Sequence, residues 1–359
     1  MRLSAELRDL FAVDFAELRP RGGQIQFYGR FLTDSEASYA EISRRFAQHG
    51  FTPTAQVESG RHLIVAIPGL IPKARAGNPL INLLLFVATV FTTLAAWSFM
   101  SGGSLYAALL SGDLDRIREA ALLAAPFTMT LLGILGVHEL GHYLAARWHG
   151  VAASLPYFIP LPFIGLGTLG AFISIKSPIH NRKALFDIGV SGPLAGFAVA
   201  LPLLFVGLTL SREVPFFASG LTLNLLGSSL LVDGIVNLFY DLPSNRTLAL
   251  HPVFFAAWLG LLLTGMNLLP LGQLDGGHVA YAWLGRYGHW LAVVTFLLLL
   301  AAGYFLSTMW YVWAFFVLIS GLRHAPTLND VTPLDGRRQL IGLAALLLFL
   351  FTIVPVPFR

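Results

Sequence analysis

Long apolar runs constrain the fold of this chain more than any other feature of its sequence. Several stretches reach the roughly 20 residues that an α-helix needs to cross a bilayer. Only 12% of the 359 residues are charged, whereas a soluble globular domain carries about 25%. The chain is therefore predicted to be an all-α polytopic membrane protein embedded in a lipid bilayer.

The apolar runs predict six or seven transmembrane helices. The fifth and sixth runs are weakly separated, so they form either two helices or one long bent helix. The runs occupy residues 79–100, 121–147, 184–210, 252–274, 287–305, 308–322 and 339–355.

Residues 1–77 lack such runs and are predicted to form a small soluble α+β domain. No apolar stretch follows a basic start, so we expect no signal peptide. Alternating apolar residues indicate strands, and helical spacing follows the cap-like sequence Thr33-Asp34-Ser35. The predicted strands are Gln24–Leu32, Phe51–Glu58 and His62–Ile67, and the predicted helix is Ser35–Gln48.

The distribution of basic residues predicts the orientation in the membrane. Lys73 and Arg75 precede the first apolar run, and most other lysines and arginines fall in loops on that same side. The positive-inside rule then places the N-terminus in the cytoplasm. The net charge of +4 is too small, on so apolar a chain, to indicate binding to nucleic acid.

Two apolar stretches do not fit a simple spanning helix. Residues 151–181 contain four prolines and several glycines, with an alternating, strand-like Gly170–Lys176. Irregular backbone at membrane depth is tolerated only where protein or a water-filled cavity covers it, so we predict a re-entrant β segment beside a cavity. Residues 222–240 are predicted to form an amphipathic helix at the outer interface.

A metal-binding pattern lies in the second apolar run. The chain has no cysteine, so a metal ion must be bound by histidine or carboxylate. His138 and His142 are four residues apart and share one helix face, and Glu139 lies beside them. This is the HExxH pattern of zinc hydrolases, and ionisable residues inside a membrane helix are costly and indicate function. Two imidazoles and a carboxylate suit Zn²⁺, although iron or cobalt would also fit.

A catalytic zinc ion usually has three protein ligands, so one ligand is missing from this pattern. We predict that Asp275 supplies it, because it follows a helix interrupted by proline and glycine and meets the histidines at the same membrane depth. Asp187 is the rival candidate. Asp335 has a similar local sequence but lies in a polar loop, where we expect a solvated carboxylate. His278 is a candidate for a role next to the metal ligands, whereas His324 lies in a predicted cytoplasmic loop, where we expect it to be solvated.

Three motifs in this order resemble the site-2 proteases, a family of intramembrane zinc metalloproteases. They are the HExxH of His138–His142, the Asn267–Gly276 segment that matches NxxPxxxLDG, and the glycine-proline signature Ser191–Gly196. The resemblance covers about residues 120–285, and the soluble N-terminal unit is similar to that of the bacterial and plastid subgroup. It implies one Zn²⁺ per chain and membrane-spanning protein substrates.

The resemblance also implies roles for individual residues. Glu139 would act as the acid/base that activates the attacking water, and Asn267 would help to hold the tetrahedral intermediate. The strand around Gly170, Phe172, Ile173 and Ser174 would pair with an unwound substrate segment. It further implies a catalytic membrane core at 78–285, C-terminal transmembrane helices at 286–359 and a bacterial plasma membrane. The oligomeric state stays open.

Two other functions are compatible with parts of this pattern. A membrane metal-binding protein or transporter would use the same ligands, but it would be expected to carry polar ligands on several spans and would not need Glu139. A catalytically silent homologue acting as a chaperone would be expected to lack a ligand or the glutamate. An active protease is therefore favoured.

Overall fold

The computed structural model of the protein describes residues 2–19, 23–72, 77–162 and 165–357. Lys73 and Arg75, on which the predicted orientation partly depends, lie outside these residues. The N-terminal part is an α+β unit, and the remainder is mostly helical with two short two-stranded antiparallel sheets.

The N-terminal unit is a four-stranded antiparallel sheet with a helix packed on it. The predicted helix α2 is confirmed at its predicted bounds, and Asp34 caps it by accepting from two backbone amides. The sheet order is β1-β2-β4-β3, and the edge strand β1 and the short α1 were not predicted. The elements are α1 (Arg2–Leu7), β1 (Phe11–Arg19), β2 (Gln24–Phe31), α2 (Ser35–Gln48), β3 (Phe51–Glu58) and β4 (Arg61–Pro68).

The helices that follow form the membrane core. Their most buried layer includes Trp97, Phe127, Phe255 and Trp258, whose rings pack in series with centroids 4.4–5.9 Å apart. The elements up to the second hairpin strand are α3 (Pro79–Met100), α4 (Leu105–Ser111), α5 (Leu114–Trp148), β5 (Tyr157–Pro160) and β6 (Thr168–Phe172).

The rest of the core begins with a long helix that packs against α5. Its elements are α6 (Arg182–Leu210), β7 (Arg212–Pro215), α7 (Leu230–Phe239), β8 (Arg246–Ala249), α8 (Pro252–Asn267), α9 (Asp275–Leu284), α10 (Gly288–Phe305), α11 (Met309–Ser320) and α12 (Gly336–Thr352).

Within the described residues, four helices are long and apolar enough to cross a membrane. They are Pro79–Met100, Leu114–Trp148, Arg182–Leu210 and the combined stretch Asp275–Phe305. The predicted count of six or seven is not confirmed. The fourth predicted run, 252–274, ends as a helix at Asn267, because Pro270 and a left-handed Gly272 turn the chain before α9 begins.

Two further expectations are modified by the structure. The predicted re-entrant segment is a hairpin of β5 and β6 with a register irregularity, and its strand β6 starts and ends a few residues earlier than the predicted Gly170–Lys176. The predicted amphipathic helix at 222–240 is shorter than expected, since regular α-helix covers only Leu230–Phe239.

Candidate active site

α5 carries the two histidines and the glutamate of the HExxH pattern on its last third. His138, Glu139 and His142 are 4%, 6% and 6% exposed, so all three polar side chains are removed from solvent. Buried ionisable groups persist only when they are paired or bind a metal. The pattern therefore lies at a site where the protein must supply partners for these groups.

The segment between α8 and α9 brings Asp275 to the two histidines. Asp275 Oδ2 is 3.1 Å from His138 Nε2, and Oδ1 is 3.2 Å from His142 Nε2. The two Nε2 atoms are 3.1 Å apart. The sequence-based pairing of HExxH with Asp275, which are 137 residues apart, matches this arrangement.

The three side chains form a candidate metal site, with one ligand atom from each lying within 4.8 Å of the others. His142 Nδ1 lies 2.6 Å from the carbonyl oxygen of Ile188. Because a carbonyl can only accept, Nδ1 is the nitrogen that donates, and in the neutral form of the ring the lone pair of Nε2 would then be available to a metal ion held between the three side chains. Ligands about 2.0 Å from one tetrahedral ion lie about 3.3 Å apart, so the observed separations fit Zn²⁺.

The glycine-proline signature explains how α6 approaches the metal ligands. A Cβ atom at Gly192 would lie 2.1 Å from His142 Nε2, and one at Gly196 would lie 3.1 Å from His138 Nδ1. On the facing helix, a Cβ at Gly141 would lie 2.7 Å from the Ser191 carbonyl oxygen. The glycines therefore allow the backbone of α6 to pack directly against the imidazole rings of α5.

Close packing of the backbone also explains the two glycines that follow Asp275. The chain folds back on the first turn of α9, so a Cβ at Gly276 would lie 2.0 Å from the Leu268 carbonyl oxygen. A Cβ at Gly277 would lie 2.4 Å from the Gly272 carbonyl oxygen. This tight turn fixes where α9 begins and thereby where the Asp275 carboxylate lies.

The rival ligand Asp187 lies in a different cluster. It pairs with His149 at 2.8 Å and receives two hydrogen bonds from Arg338, one of them 2.8 Å long. Asp335 caps α12 and also pairs with Arg338, so the expectation that Asp335 is merely solvated is wrong. This cluster ties together the end of α5 and the starts of α6 and α12, next to the Ile188 carbonyl that bonds His142.

Of the four predicted substrate-binding residues, Ile173 lies beside Glu139. Gly170 and Phe172 belong to β6, Phe172 is 47% exposed, and Ile173 and Ser174 directly follow the strand. The backbone amide of Ile173 is close enough to the Glu139 carboxylate to interact with it. Within the described parts of the chain, β6 pairs with β5 alone, so its other edge carries no strand.

Asn267 is the last residue of α8 and is half-buried. Among the described residues its side-chain amide has no hydrogen-bond partner, and it therefore remains free to bind another molecule. The roles predicted for Glu139, Asn267 and the β6 residues stay predictions, since distances alone do not assign a catalytic step.

Sequence reasoning missed the surroundings of His278. His278 Nδ1 lies 2.6 Å from His324 Nε2, and the His324 ring stacks on Tyr281 with centroids 4.6 Å apart. His324 was expected in a solvated loop, but burial lowers its pKa, and its Nδ1 bonds the Ala325 carbonyl. No local pattern indicates this contact, because His278 and His324 are 46 residues apart.

Comparison with known proteins agrees with the geometry of the site. The family model for peptidase family M50 matches residues 126–310, a range that contains His138, His142 and Asp275. No solved structure matches the chain.

Several curated plant proteins are similar to the chain. The chain is 38% identical to "Probable zinc metalloprotease EGY1, chloroplastic" of Arabidopsis thaliana over 68% of its own length and 45% of that protein. It is 33% identical to the EGY1 protein of Oryza sativa subsp. japonica, over 77% of the chain and 50% of that protein. It is 30% identical to the EGY2 protein of Oryza sativa subsp. indica, over 98% of the chain and 64% of that protein.

The chain spans about half the length of the first two relatives. The family model covers more than half of the chain and includes both metal-ligand segments. The chain therefore belongs to peptidase family M50, the site-2 protease family.

Proposed function

We propose that this protein is an intramembrane zinc metalloprotease that hydrolyses peptide bonds within or near the transmembrane segments of membrane-anchored proteins. The observation that carries the proposal is the convergence of His138, His142 and Asp275 beside Glu139 inside an apolar helix bundle. Membership of peptidase family M50 supports the same reaction. A catalytically silent homologue would be expected to lack one of these four groups, and all four are present.

His138, His142 and Asp275 would hold the zinc ion. A bound zinc ion would supply Lewis acidity. It would lower the pKa of a water molecule, so that the water can lose a proton and attack a peptide carbonyl near neutral pH. Glu139 lies one residue after His138 on the same helix, so its carboxylate adjoins this position without being a ligand. We assign to Glu139 the transfer of the proton from the attacking water to the departing amine.

We assign to Asn267 the stabilisation of the reacting carbonyl group of the substrate. Its amide is half-buried at the end of α8, eight residues before Asp275, and is free of protein partners among the described residues. A side-chain N–H donor placed in this way stabilises the negative charge that develops on the carbonyl oxygen during attack. Asn267→Ala is therefore expected to lower kcat more than it raises KM.

The free edge of β6 is assigned to substrate binding. A transmembrane helix has all its peptide groups bonded internally, so it must unwind before a peptide bond can be attacked. An unwound segment can replace those bonds by pairing with β6. Gly170, Phe172, Ile173 and Ser174 would line this segment, and the contact of Ile173 with Glu139 would place the paired strand next to the acid/base.

The chain lies in a membrane, as four apolar helices of sufficient length and its family indicate. We propose that residues 1–77 form a separate cytoplasmic domain, 78–285 the catalytic core and 286–359 additional transmembrane helices. The expectation of a bacterial plasma membrane finds no support in the relatives, which are named as chloroplast proteins.

The test uses the full chain, purified in detergent and incubated with a model single-span substrate. We expect cleavage within the apolar segment, one zinc ion per chain, and loss of both after chelation. Glu139→Gln should abolish cleavage and keep the zinc, whereas His142→Ala should lose both. Glu119→Gln is the matched control, because Glu119 is an exposed glutamate on the same helix.

Two results would contradict the proposal. Cleavage that persists in the Glu139→Gln variant would remove Glu139 from the reaction. Failure of the wild-type chain to bind zinc, with its thermal unfolding unchanged by chelators, would exclude the metalloprotease mechanism.

A further inference from the structure

A cationic cavity lies at the joint between α9 and α10. Its volume is about 310 Å³, and it is lined by α9, the first turn of α10, the segment 322–326 and the turn that precedes Asp275, through Pro270 and Gly272. None of His138, His142 and Asp275 lines it. The charged side chains that line it are Arg286 and Arg323, and His289 and His324 add two imidazoles. No aspartate or glutamate lines it.

The two arginines lack carboxylate partners among the described residues. Arg286 lies over the Tyr287 ring, 5.2 Å from its centroid, and donates a weak hydrogen bond to the Tyr287 hydroxyl. Among the described residues, the Arg323 guanidinium has no hydrogen-bond partner, and only its backbone carbonyl oxygen accepts a hydrogen bond, from the side-chain amide of Gln273. The nearby carboxylate of Asp330 accepts hydrogen bonds from Tyr281 and Thr327 instead. Unpaired arginines around one cavity favour an anionic ligand.

A buried imidazole adds to this cationic lining. The Nδ1 atom of His289 is buried and has no hydrogen-bond partner within the described residues, although a buried polar atom normally has one. An imidazole nitrogen without a protein partner can donate a hydrogen bond to an anion.

The cavity lies at the end of the helix bundle to which the N-terminal unit is attached. Arg182, at the start of α6, donates hydrogen bonds to the carbonyl oxygens of Ala282 and Trp283, at the end of α9. The adjacent Lys183 pairs with Glu36 of the N-terminal unit at 2.6 Å. The cavity is therefore near one membrane surface, where lipid headgroups lie.

Exposed apolar and aromatic residues flank the lining residues Arg286 and His289 along the chain, and they form the rim next to the cavity. Tyr287 and Trp290 are 61% and 67% exposed, and Leu284 is 43% exposed. Tyrosine and tryptophan with this exposure are typical of the boundary between headgroups and acyl chains. A cationic floor beside such a rim matches a molecule that has a phosphate group and hydrocarbon chains.

We propose that this cavity binds the phosphate group of a membrane phospholipid. Arg286, Arg323 and His289 bind the phosphate oxygens. The acyl chains extend along the exposed apolar residues of the rim. The site is separate from the metal ligands, and its occupation does not depend on the proposed proteolytic activity.

The test measures lipid binding to the full chain, purified in an uncharged detergent and stripped of lipid. The probe is dioctanoyl phosphatidylglycerol, added below its micellar concentration and detected by native mass spectrometry. Dioctanoylglycerol has the same chains without the phosphate and is the matched ligand. We expect saturable binding of one phospholipid that dioctanoylglycerol does not displace.

Arg286→Gln combined with Arg323→Gln should weaken phospholipid binding about tenfold or more, because charge-assisted hydrogen bonds are lost. Both arginines are exposed, so the fold should persist. Arg118→Gln combined with Arg212→Gln removes the same charge from exposed positions at the opposite end of the bundle and should leave the affinity unchanged. His289→Phe should weaken binding without removing an arginine, which separates a built site from general attraction to cations.

Three results would overturn the proposal. Equal affinity in the Arg286/Arg323 double variant would remove the arginines from the site. Equally tight binding of dioctanoylglycerol would make the cavity a site for acyl chains alone. Displacement of the phospholipid by inorganic phosphate at the same concentration would assign the cavity to free phosphate, because the lipid chains would then contribute nothing.

Discussion

Gly192→Ala tests the close packing of α6 against the metal ligands. A Cβ atom at this position would lie 2.1 Å from His142 Nε2, about 1.3 Å short of the 3.4 Å at which ordinary contact begins. The ring cannot turn away freely, because its Nδ1 is held by the Ile188 carbonyl at 2.6 Å on the same helix as Gly192. Either α6 moves outward or the imidazole leaves the position that faces Asp275.

The required shift is large compared with the tolerance of a metal site. Ligand distances in such sites are fixed to within about 0.2 Å, so a displacement on the order of 1 Å removes His142 as a ligand. Disturbing only the partners of a metal ligand costs about 10- to 100-fold in metal affinity or activity. We expect Gly192→Ala to reach or exceed that loss in both the zinc bound per chain and the rate of substrate cleavage.

Gly133→Ala is the matched control, since Gly133 lies in α5 and a Cβ there meets nothing within 4 Å. Alanine is favoured over glycine in a helix by about 1 kcal/mol, so this variant should be as stable as the wild type or slightly more stable. Zinc content is measured by mass spectrometry and folding by thermal unfolding in detergent. A Gly192→Ala protein that binds one zinc ion and cleaves within twofold of wild type would refute the reasoning.

Three further outcomes follow from contacts away from the metal. Thr92→Val removes a buried 2.6 Å hydrogen bond from α3 to the β5–β6 hairpin and should lower the free energy of unfolding by about 1 kcal/mol, whereas Thr209→Val, at an exposed site, should change it by less than about 0.5 kcal/mol. Asn329→Ala removes four side-chain hydrogen bonds, two of them buried, and should speed hydrogen exchange in β3; unchanged exchange would contradict this. Hydrogen bonds from Arg44 and Arg45 lower the pKa of Glu41 to about 2. Because this pKa lies below the unfolded value of about 4.3, the contribution of Glu41 is present above that pH and is lost as the pH falls towards 2. The measurement is amide hydrogen exchange of α2, corrected for the intrinsic exchange rate at each pH. Protection should fall at low pH in the wild type, and this fall should be absent in Glu41→Gln.

The metal ligands could be predicted from the sequence because each lies in a locally recognisable pattern. His138 and His142 are one helical turn apart, and Asp275 follows a proline-glycine break that no uninterrupted helix would contain. Helix periodicity and the cost of burying charge then suffice to bring the two segments together.

The cluster of His149, Asp187 and Arg338 could not be predicted in the same way. Its members are ordinary polar residues near helix ends, and 38 residues separate His149 from Asp187 and 151 separate Asp187 from Arg338. Nothing in the spacing of single residues tells which helix ends meet. The same limit explains why His324, in an apparently polar loop, was expected to be solvated.

Helix length was overestimated for a different physical reason. Hydropathy reads the apolar run 252–274 as continuous, whereas the backbone leaves the helix at Asn267 to reach the turn at Gly272 and the new start at Asp275. The leucines of that turn, Leu268, Leu269 and Leu271, are buried by protein, whereas residues of a span face lipid on one side. Burial and membrane crossing therefore give the same composition, and composition alone cannot separate them.

The segment Thr327–Thr332 connects the N-terminal unit to the catalytic core more closely than the sequence division at residue 77 implies. Its backbone exchanges hydrogen bonds with Ala55 of β3 on one side and with residues 179–180, just before α6, on the other. Asp330 of this segment bonds Tyr281 of α9, the helix that begins at Asp275. Through this segment the N-terminal sheet is connected to the start of α6 and to α9, the two helices that pack around His142 and carry Asp275. Both helices are closely packed at the candidate metal site, α6 against His142 at Gly192 and α9 against the preceding turn at Gly276. The N-terminal sheet is therefore joined, through one short segment, to the two helices that hold the surroundings of His142 and Asp275 in place.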